Sequence, residues 1–77
     1  MLKYKIGDNV KVNDKLNINF DDSEGEALLI GQIGEIIDAV EVGAFPYEIR
    51  FKDKKIQEIN IGMGSRLFDE YELNLVK

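Results

Sequence analysis

Tyr47-Glu48-Ile49-Arg50-Phe51-Lys52 alternates apolar and charged side chains with a period of two. A strand sends successive side chains to opposite faces, so Tyr47, Ile49 and Phe51 line one side and Glu48, Arg50 and Lys52 the other. Short alternation of this kind recurs along the chain, whereas helical periodicity is nearly absent. Val10-Lys11-Val12-Asn13 follows the turn signal Gly7-Asp8-Asn9, and Leu16, Ile18 and Phe20 stand two apart. A long β-prone run leads from Gly31 to Val42, with Gly31 and Gly34 placed as for a bulge or sharp bend. Gly43 to Pro46 turns the chain. Asp53-Lys54-Lys55 is predicted as a tight reversal into a strand over 56–61, with Ile59 and Ile61 inward. Gly62 to Ser65 is a connection, Asp69-Glu70-Tyr71 one helical turn, and Glu72 to Val76 a closing strand that buries Leu73 and Leu75.

Seventy-seven residues make one domain, 1–77. A chain this short buries only about 60% of its unfolded surface, which leaves room for one core. A flat sheet of this size would keep unpaired edges and one bare face. The pattern therefore predicts an all-β fold, a single five-stranded barrel, closed or half-closed, with one short helical turn before the last strand. Tyr4, Phe20, Tyr47, Phe51 and Phe68 are assigned to its core. Residues 13–30 read as one long acidic loop. Within it Ser23 and Glu26 stand at capping-box spacing, which suits either a helical turn or coil.

Three motifs carry a resemblance. Ile6-Gly7-Asp8-Asn9-Val10-Lys11-Val12 looks like the opening strand of SH3-like barrels, in particular the short bacterial and phage versions that overlap the KOW signature. Gly31-Gln32-Ile33-Gly34-Glu35-Ile36-Ile37 resembles their glycine turn and second strand. Phe68-Asp69-Glu70-Tyr71-Glu72-Leu73-Asn74-Leu75-Val76 resembles their closing turn and strand. The three keep the family's order and span nearly the whole chain. Two family activities do not transfer. Signalling SH3 domains bind proline-rich peptides through Tyr and Trp, and this chain has no Trp. KOW domains of ribosomal and transcription proteins are usually basic, whereas the net charge here is -5.

Charge is unevenly spread. The 34 residues between Lys15 and Arg50 contain no Lys or Arg but eight acids: Asp21, Asp22, Glu24, Glu26, Glu35, Asp38, Glu41 and Glu48. A chain with pI ≈ 4.6 lacks the field that nucleic-acid binding usually needs. Local basic strips survive in residues 1–15 and in Arg50, Lys52, Lys54 and Lys55, a predicted hairpin. With no His or Cys there is no ordinary catalytic triad, neutral-pH proton shuttle, thiolate metal site or disulfide. A carboxylate pair would need a cleft that so small a barrel fills with side chains. The acidic loop does not fit an EF-hand. With Gly25 at the invariant glycine position, Phe20 and Gly31 fall where carboxylates belong. No enzyme, cofactor or metal is expected. A cytosolic location fits the absence of Cys, of a signal segment and of a membrane-length apolar run.

What remains is a binding module. Its expected contact surface comprises Asp21, Asp22, Glu24, Glu26, Glu35, Asp38, Glu41 and Glu48, with Phe45 as an apolar anchor at a hairpin tip, and its expected partner is a basic protein surface. The plain alternative is that these acids only keep a small protein soluble. Strand parity already divides them, since Asp38 and Glu41 fall on opposite faces. Such a surface on a very small domain is also similar to phage proteins that imitate the charge of DNA and inhibit nucleic-acid-binding enzymes. Two other readings stay open. One is nucleic-acid or ribonucleoprotein contact through Arg50, Lys52, Lys54 and Lys55; the other is a structural barrel, monomeric or weakly dimeric, that pairs with a second copy along an exposed strand edge.

Overall fold

The computed structural model describes residues 2–16, 23–40 and 45–76, with Ser23 and Glu24 described by their backbone alone. Five strands form one antiparallel sheet: β1 (Asn9–Val12), β2 (Ile33–Ala39), β3 (Tyr47–Phe51), β4 (Leu67–Phe68) and β5 (Leu73–Leu75). Their order is β4-β3-β2-β1-β5. The first four make a meander, and the fifth returns to the free edge of β1. The sheet curls into a half-barrel, so the fold is all-β as the alternation implies. The helical turn expected before the last strand is a 3-10 turn, Glu70–Glu72. A second short element, α1 (Ser23–Ala27), occupies the expected capping-box segment.

The alternating residues fill the concave face. Val10, Val12, Ile36, Tyr47, Ile49, Phe51, Phe68 and Leu73 are buried, and Leu29 closes the interior from the α1 side. Tyr47 shows why an apolar ring with a polar tip suits this site. Its hydroxyl accepts from the backbone N–H groups of Lys3 and Tyr4, both at 3.0 Å, and so pins residues 3–4 to the barrel. Tyr4 in turn donates its hydroxyl to the Leu73 carbonyl at 3.1 Å. Leu75 was expected inside but is 49% exposed, because β5 is an edge strand at the open rim.

The largest departure lies between β3 and β4. Residues expected as a strand over 56–61 belong to a helix, α2 (Lys54–Gly62). Asp53 starts it: the carboxylate accepts from the Lys55 N–H at 2.9 Å and the Ile56 N–H at 3.3 Å, two of the donors a helix leaves unpaired. Ile56, Ile59, Asn60 and Met63 then recur at helical spacing against the core, while Ile61 turns outward at 57% exposure. Residues 50–55 are therefore the end of a strand and the start of a helix rather than a hairpin. The fourth strand is the two-residue Leu67–Phe68, which pairs with Tyr47 and Glu48. Asp53→Ala should lower stability by about 1 kcal/mol, read from the urea midpoint; an unchanged midpoint would contradict its capping role.

The two glycines flagged in the β2 region serve different ends. Gly31 has φ 86°, and its N–H donates to the Val12 carbonyl at 2.8 Å, so it makes the turn into β2. Gly34 lies within β2, facing Val10 on one side and Phe51 on the other. The actual register shift falls later, between Ile36 and Asp38.

Candidate functional site

Register decides which of the expected surface acids share a face. Ala39 opposes Tyr47, whose side chain points inward, so Asp38 and Val40 point outward. Asp38 directly opposes Glu48, and Glu48 opposes Leu67 on the next strand. Asp38, Glu48 and Leu67 therefore form a row across β2, β3 and β4 on the convex face. Val40 is 47%, Leu67 49% and Phe45 41% exposed. Val40 is tied to the β3 entrance by its N–H to the Pro46 carbonyl at 2.9 Å. The end of the β2–β3 pair thus carries two carboxylates among three exposed apolar side chains. Among the described residues, no Lys or Arg lies within ion-pair distance of Asp38 or Glu48.

The other described acids of the expected surface, Glu35 and Glu26, have different surroundings. Glu35 faces Arg50 across the same two strands, an opposite-charge pair. Asp21, Asp22 and Glu41 lie outside the described residues, as does the side chain of Glu24. Glu26 must be removed from the surface. It is 3% exposed, and its carboxylate meets the Arg66 Nε at 3.5 Å. The same guanidinium reaches the buried Glu72 at 3.1 Å and donates to the Leu67 carbonyl at 3.2 Å. Its plane lies over the Phe68 ring, 4.9 Å from the centroid. Glu72 also accepts from the Asp69 N–H at 2.8 Å, closing a capping box on the 3-10 turn. Arg66 thereby ties α1, β4 and the 3-10 turn together. Burying charges is tolerable here because the planar fork satisfies several partners at once.

Arg50 and Lys52 are exposed at the far end of β3, and Lys54 and Lys55 are exposed on the first turn of α2. They straddle the junction of β3 and α2 rather than lying along one hairpin. Sequence reasoning missed Val40 and Leu67 as parts of the outer face. For Val40 the signal was available, since it shares parity with Asp38. For Leu67 it was not, because nothing in the sequence sets a two-residue strand beside Glu48. Among the described residues, no group of three or more Asp or Glu could hold a metal ion. Among the described residues, no helix is long and apolar enough to cross a membrane either.

Among solved structures, the chain is similar to the Bacillus subtilis protein YorP, determined by NMR. The TM-score is 0.61 at 19% identity, covering 99% of this chain and 73% of YorP. At that identity the likeness speaks for the fold alone. No protein-family model matches the sequence, and no curated protein matches it either.

Proposed function

We propose that this protein is a non-enzymatic binding module of the SH3-like barrel type that docks a basic protein surface on the convex end of its β2–β3 pair. The strand order β4-β3-β2-β1-β5 and the 3-10 turn feeding β5 support the SH3-like reading. One observation carries the functional reading: Asp38 and Glu48 face each other across two strands beside exposed Val40, Phe45 and Leu67. Like charges directly opposite one another weaken a sheet, so the pair serves stability poorly. A cationic side chain placed between the two carboxylates removes that repulsion, and the apolar neighbours give it a surface to pack against. Among the described residues the contact face is Asp38 and Glu48 with their apolar neighbours, and it excludes the buried Glu26.

Charge reversal separates stability from binding. Asp38→Lys places an amine opposite Glu48 and should raise stability by a few tenths to about 1 kcal/mol. The same change should abolish binding to a lysine-rich probe peptide, followed by amide shifts in an NMR titration. In the unaltered protein those shifts should concentrate at Asp38, Val40, Phe45 and Glu48. Shifts spread evenly over the surface, or Asp38→Lys binding as well as the parent, would sink the reading.

A further inference from the structure

We propose that a second, oppositely charged site lies between β1, β5 and the 3-10 turn, and that it takes a short single-stranded nucleic acid. Tyr71, in the middle of that turn, is 72% exposed, the most exposed of the chain's large apolar side chains among the described residues. It lines a groove with Lys3, Asn13, Lys15, Glu70 and Asn74. A neighbouring groove shares Asn13 and Asn74 and adds Lys11 and Asp14. Together they bring three lysines against two carboxylates, in a chain of net charge -5.

Hydrogen bonds fix the backbone from which the exposed Tyr71 and lysine side chains project. Asn13 Nδ2 donates to the Tyr71 carbonyl and to Asn74 Oδ1, both at 2.9 Å, and Asn13 Oδ1 accepts from the Lys15 N–H at 2.8 Å. One amide therefore sets the backbone positions of Tyr71 and Lys15 relative to β5. Lys3 is fixed by its N–H to the Tyr47 hydroxyl. The result is an exposed aromatic ring on an anchored backbone, lining one groove with Lys3 and Lys15, where the Lys3 Nζ rests 5.5 Å from the Tyr4 ring centroid.

That pairing suits a nucleotide chain: each base offers a flat face to stack on a ring, and the phosphates lie within reach of the amines. An acidic peptide would use the lysines and leave the ring bare. Net negative charge weighs against a long duplex, whose affinity sums over many phosphates, but it bears less on a few nucleotides in a local positive groove. The site is also distant from the acidic face. β1 pairs with β2 only over Ile33 to Glu35, whereas Asp38 and Val40 lie beyond that overlap, towards the other end of β2. The two faces would let the module bridge a basic protein and the nucleic acid beside it.

Fluorescence anisotropy with a labelled oligouridylate at low salt tests the site in the full chain. Tyr71→Ala should weaken binding about 5- to 150-fold, the range for losing one base stack, while Tyr71→Phe retains it. The log-log salt slope should be about -1.4 for two phosphate contacts and should flatten in Lys3→Glu with Lys15→Glu. Lys54→Glu with Lys55→Glu should change neither affinity nor slope. Amide spectra of each variant verify that the fold is intact. No binding, equal binding by Tyr71→Ala, loss of binding in the Lys54/Lys55 variant, or displacement by polyglutamate as effective as by unlabelled oligouridylate each overturns the proposal.

Discussion

Arg66→Met is expected to cost about 3–5 kcal/mol, since it leaves Glu26 and Glu72 buried without the guanidinium between them. A chain of 77 residues has a total stability of about 4–12 kcal/mol, so this variant should lose from a quarter of it to all of it, and it unfolds near neutral pH if the parent lies at the low end of that range. The effect exceeds that of an ordinary surface ion pair because both carboxylate side chains are only 4% exposed, where water cannot replace the lost partner. Arg66→Lys should recover only part of the loss, because an ammonium cannot reproduce the fork that spans Glu26, Glu72 and the Leu67 carbonyl. A double variant, Arg66→Met with Glu26→Met, should be more stable than Arg66→Met alone, since it removes one of the stranded charges. Urea unfolding of the set decides the matter. An Arg66→Met protein within about 1 kcal/mol of the parent would show that the triad is not what closes this end of the barrel.

Gly34→Ala is the second severe change. A methyl group there would sit 2.8 Å from the Arg50 carbonyl oxygen and would also strike the Ile49 Cγ2. The first neighbour is backbone in the adjacent strand, so relief requires β2 and β3 to separate rather than a side chain to turn. Overpacking of this kind costs about 1–3 kcal/mol, and backbone involvement places Gly34→Ala at the upper end. Gly62→Ala is the matched control. Gly62 ends α2 with nothing within 4 Å of the added carbon, and alanine should gain about 0.5–1 kcal/mol there by restricting the unfolded chain. Thermal melts should move in opposite directions for the two glycines. A Gly34→Ala protein melting at or above the parent would contradict the close approach of the two strands.

The sequence made some of this architecture legible and hid the rest for identifiable reasons. Tyr47, Ile49 and Phe51 announced β3 because polar residues separate them and the strand has one buried face. The 56–61 segment misled because Ile56, Ile59 and Ile61 are β-branched and satisfy a strand as readily as a helix over so short a span. Asp53 resolves the ambiguity only when its side chain is seen to cap α2. Glu26 looked like part of an acidic surface because Arg66 lies far along the chain, and nothing local signals that the two meet. The Asp38–Glu48 confrontation depends on a register shift after Ile36, which composition cannot reveal. The Asn13 clamp beneath Tyr71 joins residues 58 apart and was equally invisible.

Strand β1 receives one partner from β2 and the other from β5, and Asn13 and Asn74, which bond across the second of these seams, lie 61 residues apart. At about 5–20 residues per second, the ribosome needs about 3–12 s to traverse that interval. Throughout it, the edge of β1 that β5 will cover has no partner and is open to pairing with another strand. The pace of synthesis between the two asparagines therefore sets how long that edge stays open to mispairing, independently of how stable the finished barrel is.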